Sequence, residues 1–394
     1  MHTRVLILAL LVFSAASFAE EEKFIVHEWG VLLRNSTTSG NCFETSKEMV
    51  ALLPDFVKTY SMPQQEMRIW YKPVLHFYGR DGLAIDVTIR TAKGIPTVYW
   101  PQPTITAIGQ NFDMRWTGTL SAKEPGSFNS VRKDHWWNIA RRVPGKYVNT
   151  AQGNERFIFY EATALQEPLV TATVAADAIT VNNADTEESG QVLMIVNDGD
   201  TRRWATLKRI PAKGSLALKP EAIVAGDASG EALLAACRAQ WESYGMTREE
   251  AAAMVEVWKE DILKTEGFLM ISRMPEAYYR AMFPLSVTPQ PDEIVRAGVV
   301  FDTLPDEKLR LKWMPKLEAK LEKLATDLKD DEFNVRDNAQ KSLTRYGELA
   351  KELLTRTEKS DDAEARAAAR KLLEKLKPQK PREAPSIDVS GPPF

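Results

Sequence analysis

The chain has 394 residues, 44% of them hydrophobic, with 51 Lys and Arg against 54 Asp and Glu and a formal net charge of −3. So even a balance argues against a nucleic-acid partner, whose binders usually carry a basic face. The length and apolar content suffice to bury a core, and length alone suggests two or three domains.

Met1-His-Thr-Arg4 precedes an uninterrupted apolar run, Val5 to Phe13, followed by small residues and Ser17-Phe18-Ala19. A charged start, an apolar stretch and an A-x-A-like site predict a secretory signal peptide over 1–19, cleaved after Ala19, and a periplasmic or extracellular location. The run is shorter than the roughly 20 residues that span a bilayer, and no later segment reaches that length, so no membrane span is expected. Export permits a disulfide between the two cysteines, Cys42 and Cys237. Cys42 lies in the polar loop Thr38-Ser-Gly-Asn-Cys-Phe43, whereas Cys237 falls on the helical stripe Leu234, Cys237, Trp241, where a cysteine is more often a small core hydrophobe.

From Lys23 to about Ala225, short runs of β-branched and aromatic residues alternate with Gly, Pro and Asn punctuation. The pattern predicts antiparallel β-sandwich modules, a first β-rich domain over 20–168 and a second β module over 169–225. Ala84-Ile-Asp-Val-Thr-Ile-Arg90 alternates cleanly, with Ile85, Val87 and Ile89 on one face. One helical interlude is expected over 46–60.

A helical insert with a β return follows over 226–303. Thr247-Arg-Glu-Glu250 forms a capping box, and Ala251, Met254, Val255, Trp258 and Ile262 recur downstream at helical spacing. Residues 304–377 read as helical. The stretch from Asp306 to Lys377 holds 18 basic and 16 acidic residues, and such balanced charge is a solvated surface. The tail 378–394, rich in Pro and Ser, reads as disordered.

Two stretches in the helical region align at a spacing of 30 residues, Asn334-Val-Arg-Asp-Asn-Ala339 with Leu343, and Glu364-Ala-Arg-Ala-Ala-Ala369 with Leu373. A fixed period of this size marks stacked helical repeats. The stretches resemble the HEAT-like repeats common in exported planctomycete proteins. His27-Glu28-Trp29-Gly30, Lys72-Pro-Val-Leu-His-Phe-Tyr78, Val98-Tyr-Trp-Pro101 and Arg156-Phe-Ile-Phe-Tyr160 resemble an uncharacterised bacterial family with a His-Glu-Trp-Gly strand. That family has no assigned activity, so the resemblance implies architecture and not chemistry.

The three histidines after the leader, His27, His76 and His135, all fall in the first β-rich segment. Converging imidazoles would suit zinc, with Glu28 or Glu155 as neighbour. Spacing does not support this, because the position where a His-Glu-x-x-His motif needs its second histidine is Val31. Alternation puts Glu28 on the face opposite His27 and Trp29, where a carboxylate is wet, paired with an arginine such as Arg68 or Arg156, or used as a general acid or base. No nucleophile elbow, reactive Cys-His signature or phosphate loop is present. Trp136 and Trp137 are adjacent in a charged segment, and neighbouring positions diverge, so one ring is a candidate binding surface. These readings favour an exported, non-catalytic binding or scaffold protein with no cofactor, its partner another exported protein or a glycan. The alternative is a metal-dependent hydrolase using zinc at His27, His76, His135 and Glu28.

Overall fold

The computed structural model describes residues 22–35, 53–60, 69–126, 128–163, 168–175, 178–198, 201–219, 222–225, 230–264, 267–303 and 315–376. The expected signal peptide and its site at Ala19, Cys42, Arg68, the first half of the expected 46–60 helix and the tail lie outside these residues.

The chain is mixed β and α. Its first strands are β1 (Ile25–Asn35), β2 (Lys58–Thr59), β3 (Ile69–Tyr78), β4 (Ala84–Thr91), β5 (Pro96–Trp100), β6 (Thr104–Ile108) and β7 (Asn111–Ser121). After the short helix α1 (Trp136–Arg141) come β8 (Tyr147–Thr150), β9 (Gly153–Glu155), β10 (Ile158–Thr163), β11 (Val170–Val174) and β12 (Ile179–Asn183). β13 (Val192–Asp198), β14 (Thr201–Leu207), β15 (Ser215–Leu218) and β16 (Val224–Ala225) precede helices α2 (Glu231–Glu242) and α3 (Arg248–Lys264). β17 (Gly267–Arg273), α4 (Glu276–Met282), β18 (Leu285–Thr288) and β19 (Glu293–Thr303) lead to α5 (Pro315–Asp327), α6 (Phe333–Tyr346), α7 (Lys351–Thr357) and α8 (Ala363–Leu376).

Ten strands form one sheet in the order β16-β14-β13-β17-β19-β1-β3-β10-β5-β2. Its ladders are antiparallel except at the centre, where β1 runs parallel to β19. The sheet takes strands from 20–168, from 169–225 and from 226–303, so backbone hydrogen bonds cross both expected module boundaries. The physical reason is burial on both faces. Strands such as β10 and β13 are buried at every position, and a strand covered on both sides carries no alternation to reveal its neighbours.

One face of the large sheet packs on helices. Trp29, Val31, Leu193, Ile195, Leu269, Ile271 and Phe301 meet Cys237, Trp241, Met254 and Trp258 of α2 and α3. The opposite face is divided. At the β1-β3-β10 end it faces a six-stranded sheet, β18-β4-β7-β8-β9 with β6 on β7, through Phe77, Ile158 and Tyr160 against Val87, Met114 and Trp116. At the β13-β17 end it faces a three-stranded sheet, β11-β12-β15, and the C-terminal helices. Leu53–Tyr60, the described part of the expected 46–60 helix, is instead a turn, with the Val57 amide donating to the Pro54 carbonyl, followed by β2 at the edge of β5.

Helices α6 and α8 both begin and end 30 residues apart, which is the period seen in the sequence. Arg336 Nη1 donates to the carbonyls of Asp330 and Asp331, at 2.6 and 2.8 Å, and Arg366 Nη1 does the same to Ser360 and Asp361, at 2.7 and 2.6 Å. Each arginine ties its helix to the turn before it. Ala339, Leu343, Ala365 and Ala369 are buried as expected, but Val335 and Leu373 are half-buried and Leu372 takes the inward place in α8. Lys341 lies on the outer face, paired with Asp337 one turn earlier. Lys341→Glu is expected to change stability by no more than about 0.5 kcal/mol in urea denaturation, because an exposed i,i+4 pair contributes little.

Candidate functional site

The antiparallel register of β1 and β3 sets His27 directly opposite His76, on the face that carries α2 and α3. His27 Nδ1 lies 2.8 Å from Glu250 Oε2, and the Tyr78 hydroxyl donates to Glu250 Oε1 at 2.8 Å. Glu250 sits in the first turn of α3 because the capping box forms there. The Glu250 amide donates to Thr247 Oγ1 at 3.1 Å, and the Thr247 amide donates to Glu250 Oε2 at 2.8 Å. One carboxylate thus starts a helix and fastens it to two strands. Burial opposes ionisation of Glu250, but the hydrogen bond from His27, the two neighbouring imidazoles and the Thr247 amide outweigh it and hold the carboxyl below its ordinary value. Burial and the neighbouring Glu250 push the Tyr78 hydroxyl well up, so it stays a donor. Thr247→Ala is expected to cost about 0.5–2 kcal/mol, read by chemical denaturation, since the first-turn amide loses its acceptor.

His76 is fully buried. Its ring stacks on Trp29 with centroids 6.0 Å apart and tilts against Phe157 at 5.6 Å. Gly145 crosses so close that a Cβ there would stand 3.3 Å from Nδ1. Neither ring nitrogen has a hydrogen bond of good geometry. Burial pushes the ring down to about 4, so it is neutral at pH 7.

Glu28 faces the other way, as alternation requires, and it is 1% exposed. Its partner is not Arg156, and Arg68 lies outside the described residues. Arg296 of β19, its register neighbour in the parallel ladder, donates from Nε to Oε2 at 2.5 Å, and the Tyr160 hydroxyl donates to Oε1 at 2.6 Å. Arg296 also donates to the Phe283 carbonyl and lies over the Tyr279 ring. Six residues along, Arg34 and Asp302 form a second pair between register neighbours, at 2.6 Å and with the polarity reversed. The two pairs fix the one parallel register of the sheet, because a slip would set these charges against the wrong neighbours. Arg156 lies over the Tyr147 ring instead, at 4.2 Å.

Glu155 is fully buried. Arg141 grips it through Nε at 3.0 Å and Nη2 at 2.7 Å, and the Trp137 indole N–H donates to it at 2.7 Å. His135 is the N-cap of α1, its Nδ1 accepting from the Trp137 amide at 3.1 Å. Trp136 and Trp137 do not diverge as expected. Trp137 is fully buried, Trp136 is half-buried, and both rings pack on Phe159, at 5.8 and 5.0 Å. The large aromatic side chain of Phe159 is broad enough to take two neighbouring rings from one short helix.

Of the four expected zinc ligands, β1 and β3 bring His27 and His76 together, Glu28 lies on the opposite face, and His135 is engaged in a cap. Among the described residues no group of three His, Cys, Asp or Glu side chains is close enough to hold a metal ion. Cys237 is a buried free thiol, pushed up to about 12 by burial, and it packs as a core residue of α2. No described helix is long and apolar enough to cross a membrane. The capping box singled out Glu250, but its partner His27 is 223 residues away, and Arg296 is 268 residues from Glu28. No local pattern announces such pairs. Compared with known protein families and with curated proteins, the chain matches none of them.

Proposed function

We propose that the chain is an exported, non-catalytic binding or scaffold protein, a β-sandwich-like core bearing HEAT-like helical repeats, whose partner is another exported protein. The observation that carries the reading is the doubled helical unit, α5 with α6 and α7 with α8, docked on the sheet core and built twice with the same arginine tie. Stacked helical units offer broad, rigid outer faces to partners. The acids that could serve catalysis are instead engaged as braces: Glu28 by Arg296 and Tyr160, Glu155 by Arg141 and Trp137, Glu250 by His27 and Tyr78.

Cross-linking in the exported fraction, followed by mass spectrometry, tests the reading. A stoichiometric protein partner is expected, and charge reversal of the exposed lysines Lys341 and Lys371 should release it without loss of fold. Capture of a glycan in its place would change the partner class. Hydrolytic turnover that disappears in His27→Ala would overturn the reading in favour of the hydrolase.

A further inference from the structure

We propose that His27, His76 and Glu250 form an acid-sensitive latch, which holds α3 on the β1–β3 end of the large sheet at neutral pH and loosens it in acid. The cluster holds two imidazoles on neighbouring strands and one carboxylate between them and the helix. That carboxylate is already taken by His27, Tyr78 and the Thr247 amide, so a proton arriving on His76 finds no counter-ion of its own.

The groups that face His76 decide the sign. Glu250 of α3 favours its protonation, His27 of β1 opposes it, and Arg156, entering β10, opposes it through the guanidinium while its carbonyl favours it. Desolvation exceeds all of these, because Trp29, Phe157 and Gly145 close the ring off from water. Tyr78, on the same strand, stays neutral.

A base with a depressed pKa in the closed state takes up its proton only on opening. The closed state therefore keeps its full stability above the ordinary histidine value of 6.5 and loses it as the pH falls toward about 4. Glu250 acts in the same direction below 4.5, its ordinary value, as its bonds to His27 and Thr247 are lost. Across this window the population of the opened form should rise on the order of 100-fold.

Hydrogen exchange on the intact protein reads the latch directly. With rates corrected for intrinsic pH dependence and EDTA present, protection of α3 should fall by at least tenfold relative to β13 between pH 7 and pH 4.5. His76→Phe, which keeps an aromatic ring in the site, should abolish that relative loss. An equal loss in His76→Phe, or none in the wild type, would overturn the proposal. Should His76→Phe fail to fold, histidine ring resonances of the wild type give the same answer. A His76 ring still neutral at pH 5 supports the latch, and one that titrates near 6.5 in the folded protein refutes it.

Discussion

Arg296→Met is expected to destabilise the protein by about 3–5 kcal/mol, because it leaves the Glu28 carboxylate in the core without its counter-charge. Glu28 is 1% and Arg296 2% exposed, so water cannot replace the lost partner. Tyr160 still donates one hydrogen bond, which is too little to compensate a buried charge. Adding Glu28→Leu should recover about half of the loss, since removing both charges also removes the cost of burying them. The remaining deficit, about 1–3 kcal/mol, belongs to the hydrogen-bonding groups of Tyr160 and Phe283 left behind. A double-mutant cycle in urea measures all of this.

The second large effect is expected at Leu343→Ala, about 2–5 kcal/mol. Leu343 is fully buried in α6, in a core that joins Leu321, Leu328, Leu354 and Leu372 of the helical units to Val192 and Met194 of the sheet. Two units fall below the roughly three that a free-standing repeat array needs, so the segment depends on this docking. The cavity should loosen all four C-terminal helices together, and hydrogen exchange should show the loss of protection running from α5 to α8. Loss confined to α6 would mean that the units are held separately.

The sequence made the half-buried elements legible and hid the fully buried ones. In β4, Ile85, Val87 and Ile89 are buried while Asp86, Thr88 and Arg90 are not, because one face of that strand meets water. The α3 stripe and its capping box were equally readable, since periodicity and a first-turn acceptor are local. β1 lies between β3 and β19, and β19 arrives after more than 250 residues of chain. Nothing local names such a neighbour. The short strand β6 is exposed along most of its length, and its one inward position, Ile105, is too little to show a face.

The candidate site divides in the same way. Alternation placed His27 and Glu28 on opposite faces, and the histidine content drew attention to His76. The partners that give these residues their meaning, Glu250 and Arg296, come from elements far along the chain. The convergence of three histidines and Glu28, which no spacing supported, is divided by the pleat of β1, which turns Glu28 away, and by the helix cap that engages His135.

The most direct test of binding rather than catalysis is quantitative cross-linking of the wild type and His27→Gln in the exported fraction, with hydrolytic turnover measured on the same samples. The account predicts one protein partner at a fixed stoichiometry in both samples, with no turnover that depends on His27. Turnover lost in His27→Gln while the fold stays intact, with no stoichiometric partner in either sample, would contradict it.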